Sequence, residues 1–503
     1  MPSTPPDPDW STAIAAAKVD LADGRPDLAA GRLEPLVRHP GAPVEAIRLC
    51  ADALRRLNRT AAALPLLERL VSAHPASAVA EHNLAAALGD LGDVLEAAAA
   101  ARRALDKGGT APETWLVLGR ALQGLGRLAE AEAAFRQSLA LRPAQLEARR
   151  DLAQLIWMRT GDRDAAMGVF DTSTAPANLH PALTALAAAA LLDMAGERAA
   201  WDWLAPRLTT APGPDLHLAA AKAAGGFDPA LALAHARSAF EAAPAAPETR
   251  IALITALLAS GRAAEALPAL DEHLRDTPFD QYAIALRHTA WRVLSDPRAL
   301  GPADYAALVQ GYDLAPPPAR TSGLPAWMDE AGAALGRLHA FQAHPFDQSI
   351  RGGVQAPIDP RRARDPVLDE VFAALQTPVD AFIAGMAGRT DPMSLRASPN
   401  GWDMAGAWSV RLKAGGRHTD HVHPRGWISS ALHVVTPAPD APKAGWLRFG
   451  AARLGVGLSL EAEHWVEPRP GRVVLFPSWM WHGTQPFSGD GERITIAFDV
   501  LPR

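Results

Sequence analysis

The spacing of hydrophobic residues changes character partway along this chain of 503 residues. Up to about residue 275 alanine and leucine dominate, as expected of consecutive helices. Between residues 393 and 500 apolar and polar residues instead alternate over short runs with turn residues between them, which predicts the strands of a sandwich or jelly roll. The pattern therefore predicts two architectures in one chain. The predicted strands include residues 408–412, 428–435, 445–449, 472–476 and 493–498.

The helical part contains an internal repeat. Segments 42–75, 76–109 and 110–143 align without a gap, and their period of 34 residues is the tetratricopeptide signature. Over about residues 10–280 the chain thus resembles tetratricopeptide proteins, which implies a superhelix whose concave groove holds a peptide or protein partner. The alternative is an array that only braces the second domain or mediates self-association. In the clearest copy the characteristic residues are Trp115, Leu118, Gly119, Leu122, Ala131, Phe135 and Pro143.

The middle of the chain predicts a domain boundary. Residues 281–323 form a helical connector that ends near three consecutive prolines at 316–318, which cannot continue a helix. A helix through His339, a polar loop at 343–355 and a second helix at about 366–386 open the next domain. The sequence therefore predicts an α+β multidomain protein with a repeat array at 1–280, the connector at 281–323 and a β-rich domain at 324–503.

Charge and cysteine content narrow the choice of partners and compartment. The 49 basic and 55 acidic residues give a net charge of -6 without a basic stripe, which argues against a nucleic-acid partner. Cys50 is the only cysteine, so an intrachain disulfide is excluded. The N-terminus does not resemble a signal peptide, and no uninterrupted run of 18 apolar residues occurs. A cytoplasmic protein without a membrane partner is the simplest interpretation.

The strongest chemical signal is a set of histidines near the C-terminus. His421 and His423 are separated by one residue, and His482 follows 59 residues later. Two such histidines on a strand point the same way, so a third from a neighbouring strand can close one face of a metal. The opposite positions are then open for a cosubstrate and O2, as in non-haem Fe(II) oxygenases.

Residues 413–430 and 468–499 resemble the Fe(II)- and 2-oxoglutarate-dependent oxygenases. The resemblance is to the prolyl-hydroxylase-like branch and to a bacterial group that joins tetratricopeptide repeats to such a domain. It implies a double-stranded β-helix (jelly roll) with flanking helices, and Fe(II), 2-oxoglutarate and O2 as cofactor and cosubstrates. It also implies that His482 is the distal ligand and that Arg493 binds the far carboxylate of 2-oxoglutarate, a task suited to its planar fork. Thr495, on the same strand face, adds a hydroxyl.

The first pair of ligands has two possible registers. His418 and Asp420 satisfy the family's His-x-Asp pattern, whereas His421 and His423 place a histidine where the family has its acid. Gly415, six residues before His421, favours the second register, and His418 then falls where the family has a tyrosine near 2-oxoglutarate. Replacing the acid with imidazole raises the charge of the site by one unit. The third ligand is therefore His423, Asp420 or water.

These features predict a dioxygenase that hydroxylates a peptide or protein side chain presented by the repeats. Gln348, Arg351 and Gln355 of the polar loop, and Trp481 beside His482, are candidate substrate contacts.

Three alternatives stay open at this stage. The first is a catalytically inactive tetratricopeptide adaptor with an oxygenase-like metal-binding module, because the expected acid is missing. The second is a cupin-type metal enzyme with Glu461 or Glu463 as a ligand, although this leaves the position of Arg493 unexplained. The third is halogenation or desaturation by the oxygenase itself, since halide can occupy a position that lacks a carboxylate.

Overall fold

A computed structural model describes residues 9–57, 59–171, 180–208, 212–358, 365–438, 441–489 and 491–503. The chain divides into two compact units, one ending at Leu155 and the other beginning at Ile156. This division falls inside a helix of the repeat array, so the later repeats group with the β-rich region. The division at residue 155 does not test the domain boundaries predicted at residues 280 and 323, which stay predictions.

The first unit is built from paired helices whose contacts depend on small residues. A Cβ atom at Gly119 would lie 2.5 Å from the ring of Phe135, so glycine is needed for this close approach. At the start of another helix the Asp93 carboxylate accepts a hydrogen bond from the Glu96 amide, which satisfies a free helix-end donor. The helices are α1 (Trp10–Ala22), α2 (Pro26–Leu33), α3 (Val44–Arg56), α4 (Thr60–Ala73), α5 (Ala78–Asp90), α6 (Val94–Asp106), α7 (Pro112–Gly124), α8 (Leu128–Leu141) and α9 (Leu146–Thr160), whose last turn enters the second unit.

The second unit continues the helical array before the strands begin. The helical prediction for this part of the chain is confirmed for the described residues, which leave out 172–179 and 209–211. The predicted helix at 366–386 is two short helices that meet at Leu375. The helices are α10 (Arg163–Gly168), α11 (His180–Ala195), α12 (Glu197–Leu204), α13 (Pro214–Ala224), α14 (Pro229–Ala242), α15 (Pro247–Ala259), α16 (Ala263–Asp276), α17 (Gln281–Val293), α18 (Pro302–Leu308), α19 (Gly323–Gly336), α20 (Pro366–Ala374) and α21 (Gln376–Ala384), with 3-10 turns at Ala205–Arg207 and Ser394–Arg396.

The strands form a six-stranded, a three-stranded and a two-stranded antiparallel sheet. Their orders are β1-β9-β4-β11-β3-β2, β10-β5-β8 and β6-β7. Each predicted strand segment overlaps an observed strand, and the α+β fold class is confirmed; the jelly-roll arrangement itself stays a prediction. The strands are β1 (Gln310–Asp313), β2 (Ile350–Ile358), β3 (Trp402–His418), β4 (Ile428–Val435), β5 (Leu447–Phe449), β6 (Arg453–Leu454), β7 (Leu458–Ser459), β8 (His464–Val466), β9 (Arg472–Pro477), β10 (His482–Thr484) and β11 (Arg493–Pro502).

Two segments differ from their predicted structure. The helical connector also contributes β1, which pairs with β9. The polar segment predicted as a loop forms β2 from residue 350 onward and pairs with β3. Glycines permit this pairing, because a Cβ at Gly353 would lie 2.6 Å from the Arg411 carbonyl oxygen and one at Gly416 would lie 2.6 Å from that of Gly352.

Strand β11 separates the hydrophobic core from a polar face of the six-stranded sheet. Its even-numbered residues from Ile494 to Val500 are buried in the cluster that includes Trp327 of α19 and Phe372 of α20. Successive side chains of a strand point to opposite faces, so the odd-numbered positions 493 to 499 face the other way. In the part of the chain that the structure describes, no helix is long and apolar enough to span a membrane.

Candidate active site

The three histidines predicted as metal ligands meet through backbone contacts. His421 and His482 form a bridge in which each amide donates to the other's carbonyl, at 2.9 and 3.0 Å. The His423 amide donates to the Ser478 carbonyl at 2.9 Å. The expectation that both histidines lie on a strand is wrong in detail, since β3 ends at His418 and only the bridge follows. One ring nitrogen of each histidine nevertheless lies within 4.8 Å of the other two.

Hydrogen bonds orient two of these rings. The Nδ1 atom of His421 donates to the Thr419 carbonyl at 2.8 Å, and that of His482 donates to the Met480 carbonyl at 2.9 Å. Burial lowers the pKa of His421 to about 3 and the pKa of His482 well below its usual value. Both rings are therefore neutral near pH 7 and carry their lone pair on Nε2, the form that binds a metal.

The third ring is held by a carboxylate. The Nδ1 atom of His423 lies 2.7 and 3.0 Å from the two carboxylate oxygens of Asp499. Ser429 donates a hydrogen bond to the same carboxylate at 2.7 Å, and its hydroxyl lies 2.8 Å from that of Ser478. The indole of Trp408 stacks on the other side of His423 at 5.8 Å between ring centres. Three oriented imidazoles of this kind suit Fe, Zn, Cu or Ni.

The alternative ligand pair is placed differently. Asp420 forms a two-point ion pair with Arg448, at 2.8 Å to Nε and 2.6 Å to Nη2. Among the described residues Asp420 therefore does not join the histidine cluster. The His418 ring stacks against that of His421 at 5.7 Å, which leaves it beside the cluster.

Ser349 links His418 to the cluster. Its hydroxyl lies 2.9 Å from His418 Nδ1 and 3.2 Å from His421 Nε2. Burial lowers the pKa of His418 well below its usual value, and the charge of Arg493 lowers it further. His418 is thus a neutral group beside the histidine cluster, and it is close enough to the predicted cosubstrate anchor for the charge of Arg493 to affect its pKa.

Arg493 is a buried cation with no anionic partner among the residues that the structure describes. Its side chain is 2% exposed, and Nη1 donates to the Gly445 carbonyl at 2.8 Å. The Nη2 atom lies 3.4 Å from His433 Nδ1, and Nε has no partner. Within the described ranges no carboxylate pairs with Arg493, and burial lowers its pKa to about 10. Because an isolated buried charge is costly, this guanidinium fits an incoming carboxylate.

Two further polar groups accompany the arginine. Thr495 is buried on the same strand face and lies opposite His433 of β4. His433 is fully buried, and its Nε2 atom has no partner. Burial, and then the charge of Arg493, lower the pKa of His433 well below its usual value. The surroundings of the arginine on this face of the sheet thus offer a cation, a hydroxyl and a neutral imidazole.

The predicted substrate contacts separate into two groups. Arg351 donates to the carbonyls of Gln348 and Ile350, each at 2.8 Å, so its guanidinium stabilises the start of β2. Gln355 lies opposite Val410 of β3, which in turn lies opposite Thr495 of β11. Directly opposed residues share a face, and Gln355 is therefore on the site's side of the sheet.

Trp481 points away from the histidine cluster. Its indole donates to the Thr289 hydroxyl at 3.0 Å and contacts the Tyr282 ring edge-on at 6.0 Å. Both partners belong to α17. Trp481 therefore packs the β-region against a helix of the same unit, and nothing in the structure places it beside a substrate.

Asp499 is the main site residue that the sequence reasoning missed. Its odd position on β11 gives it the same face as Arg493 and Thr495, a signal that was present in the sequence. The strand alternation predicts its face but not its partner: the contact with His423, 76 residues away along the chain, depends on the fold. Trp408 and His433 were missed as parts of the site for the same reason.

Comparison with known proteins agrees with this geometry. Residues 406–499 match the family described as "Putative 2OG-Fe(II) oxygenase", a span that includes the three histidines, Arg493 and Asp499. Residues 14–78, 49–112 and 116–181 match the tetratricopeptide repeat family. The fold and site thus define a repeat protein joined to an oxygenase-type domain. The chain therefore contains tetratricopeptide repeats, and its C-terminal region matches this oxygenase family. No curated protein matches it.

Solved structures resemble parts of the chain. MamA (41-end) from Desulfovibrio magneticus RS-1 is 19% identical, with 33% of this chain and 93% of that chain covered and a TM-score of 0.30. A thermophilic TPR protein from Thermus thermophilus is 23% identical, with coverages of 36% and 99% and a TM-score of 0.31. A tetratricopeptide repeat protein from Parabacteroides merdae is 19% identical, with coverages of 48% and 97% and a TM-score of 0.35.

Proposed function

We propose that the protein is an Fe(II)- and 2-oxoglutarate-dependent dioxygenase that hydroxylates a peptide or protein side chain held by its repeats. The supporting observation is a pair of features on one face of the sheet. A three-histidine cluster contacts Asp499 of β11 through His423, and an arginine that is buried without a carboxylate partner among the described residues lies on the same face of β11. Together they match a metal and a chelating dicarboxylate.

In this proposal His421, His423 and His482 hold Fe(II) through their Nε2 atoms. Three protein ligands leave the remaining positions for the cosubstrate and O2. Bound Fe(II) would activate O2, which is the oxidant: one oxygen atom would enter succinate as 2-oxoglutarate loses CO2, and the other would hydroxylate an unactivated C–H bond. The protein orients the ligand rings through their Nδ1 partners and keeps the rings of His421 and His482 neutral by burying them.

The arginine end of the site binds the other end of the cosubstrate. Arg493 has an unpartnered Nε and a weakly held Nη2, which suit two hydrogen bonds to a carboxylate. Thr495 offers a hydroxyl from the same strand face. His418, a neutral group that stacks beside His421, contacts the cosubstrate in this proposal without adding a positive charge.

The third ligand position supports hydroxylation over halogenation. Binding of a halide requires an empty position where the family has its acid. His423 fills that position, and its ring is fixed by Asp499 on one nitrogen and by stacking against Trp408. The side chain is therefore held in place for ligation.

The substrate class follows from the repeats. Tetratricopeptide arrays present extended surfaces that bind protein segments, so a peptide or protein side chain is the proposed substrate. Gln355 lies on the site's face of the sheet and is the best placed of the predicted contact residues. Gln348 and Arg351, at the start of β2, belong to the proposal as neighbours of Ser349.

One observation favours a second candidate, an inactive adaptor that keeps the metal site. His423 stands where an acid is expected, and this departure from the family pattern would be tolerated in a protein that no longer activates O2. The metal would then have a structural role.

Anaerobic titration with Fe(II) and 2-oxoglutarate distinguishes the two. We expect the weak visible charge-transfer band of the chelate in the wild type and its loss in Arg493→Gln, which removes the charge. Arg503→Gln is the matched control, because that exposed arginine at the end of β11 pairs with Asp403. If the wild type binds metal but forms no band, the adaptor function replaces the enzyme.

A further inference from the structure

The structure shows an acidic group directly behind the histidine that replaces the expected acid. The three ligand histidines use different partners for Nδ1. His421 and His482 donate to backbone carbonyls, which are neutral. Of the three, His423 alone is paired with a carboxylate in the part of the chain that the structure describes, that of Asp499 at 2.7 and 3.0 Å.

We infer that Asp499 restores the negative charge that the metal centre lacks, by acting through the imidazole of His423. A carboxylate hydrogen-bonded to a metal-bound histidine fixes the ring and increases the basicity of the ligand. The inference rests on the proposed function for the choice of metal. It makes Asp499 a positioning residue with a charge role, since the carboxylate does not itself belong to the ligand cluster.

The surroundings of Asp499 are built to hold this carboxylate. Ser429 donates to it at 2.7 Å and is itself 2.8 Å from the Ser478 hydroxyl, both serines being fully buried. A Cβ atom at Gly426 would lie 2.2 Å from Ser478 Oγ and 3.3 Å from the Asp499 carboxyl carbon. Glycine at 426 is therefore required for the serine and the carboxylate to occupy their positions.

A strand irregularity also lies at this residue. Asp499 is opposite Gly406 of β3, whereas Val500 is opposite Met404, so the register shifts between them. The extra residue, Ala405, lies on β3, so β11 keeps its alternation and Asp499 stays on the same face as Arg493 and Thr495. The Asp499 and His423 side chains are only 16% and 13% exposed, and solvent therefore screens the pair weakly.

The test is anaerobic titration of the metal-free protein with Co(II), followed by its visible spectrum, and with Fe(II). We expect Asp499→Asn and Asp499→Ala to weaken metal binding by about 10- to 100-fold, as loss of an outer partner does. The Asn variant can keep the hydrogen bond from His423 but loses the charge. A wild-type affinity in Asp499→Asn, with or without a loss in Asp499→Ala, would overturn the charge role.

Asp403→Asn is the control, because Asp403 is an exposed aspartate on β3 that pairs with Arg503. If Asp499→Asn does not fold, the double variant His423→Asp with Asp499→Asn provides the second test. It moves the carboxylate into the ligand position and should bind Co(II) with a spectrum showing fewer nitrogen ligands. Failure of this folded double variant to bind metal would contradict the inference.

Titration of the wild type with 2-oxoglutarate after metal loading separates this inference from the proposed function. If metal binds and depends on Asp499 but 2-oxoglutarate does not bind, the dioxygenase proposal fails and the charge role stands. If 2-oxoglutarate binds and Asp499→Asn binds metal as tightly as the wild type, the charge role fails and the dioxygenase proposal stands.

Discussion

Glu81 in one compact unit and Arg493 in the other are charged residues buried to the same extent, and they differ in what surrounds the charge. Glu81 of α5 and Arg493 of β11 are both 2% exposed. Glu81 accepts hydrogen bonds from Arg103 at 3.0 Å and from Lys107 at 2.6 Å. Among the described residues, the hydrogen-bonding partners of the Arg493 guanidinium are a carbonyl and a neutral imidazole. A buried charge that stabilises the fold is paired with counterions from the chain itself. A buried charge that binds a ligand has no counterion until the ligand is present.

The contrast extends beyond this pair. Among the described residues, buried side-chain nitrogens without a partner are concentrated in the second unit, and the first unit contributes only Arg55. Unsatisfied polar groups lower stability, and they are tolerated where function needs them. The residues in the second unit are Arg287, His288, Trp291, Trp327, His339, His433 and Arg493.

The largest effect is expected from Arg493→Gln. Loss of one member of a buried charge pair costs about 2–5 kcal/mol, so the affinity of the metal-loaded protein for 2-oxoglutarate should fall by about 30-fold or more. Without cosubstrate the same variant should melt no lower than the wild type, because it removes an unpaired buried charge. Calorimetric titration and thermal unfolding measure the two quantities. A lower melting temperature with unchanged 2-oxoglutarate affinity would show that the arginine is structural.

Glu81→Gln should have the opposite effects to Arg493→Gln: it should lower stability and leave 2-oxoglutarate affinity unchanged. Hydrogen bonds to charged groups are worth about 1.5–3 kcal/mol, so the free energy of unfolding of the repeats should fall by about this amount. Binding of 2-oxoglutarate should not change. Denaturant unfolding tests this, with Glu130→Gln as a control at a residue whose side chain is 51% exposed. Equal destabilisation by both variants would remove the distinction drawn for Glu81.

A smaller effect is expected on the pH dependence of stability. Burial lowers the pKa of His288 from its usual 6.5 to about 3, and its ring stacks on Trp479 at 4.4 Å. As pH falls below about 6.5 only the unfolded state takes up this proton, so stability is complete above that pH and declines toward pH 3, by at most about 1.4 kcal/mol per pH unit. His288→Gln should flatten this slope in denaturant unfolding at pH 7, 6 and 5. The exposed His74, changed to Gln, serves as the control, and identical slopes in all three proteins would refute the assignment.

The smallest effect is expected from Asp420→Asn. Since both Asp420 oxygens are paired with Arg448, the variant should change metal affinity by much less than the about 10-fold at which loss of a ligand's partner is usually seen. Co(II) titration measures this. Abolished metal binding in a folded Asp420→Asn would restore the alternative ligand register.

Local pattern was enough to predict much of the fold. Residues 428–435 form a strand over the predicted length, because a run of apolar and small residues bounded by turns has few other solutions. Gly119 and Phe135 occupy the contact that the repeat pattern assigns to them. The proximity of His421, His423 and His482 was also predictable, since it needs only two neighbouring segments.

Contacts between segments that are distant in sequence could not be predicted from the local pattern of apolar and polar residues. The glycine-rich start of β2 suggests a loop, and only the facing glycines of β3 convert it into a paired strand. The commitment of Asp420 to Arg448 and the orientation of Trp481 toward α17 depend on which elements become neighbours. Such contacts are set by tertiary packing, which overrides local preference.

Strand β11 carries Arg493, Thr495 and Asp499 at positions of equal parity. Inserting or deleting a single residue between Arg493 and Asp499 would turn one of them into the hydrophobic core. The proposed cosubstrate anchor and the proposed charge behind the metal therefore depend on the same alternation of side chains along β11. Either group can be exchanged by substitution, but neither can be moved by a one-residue change in spacing without loss of the other.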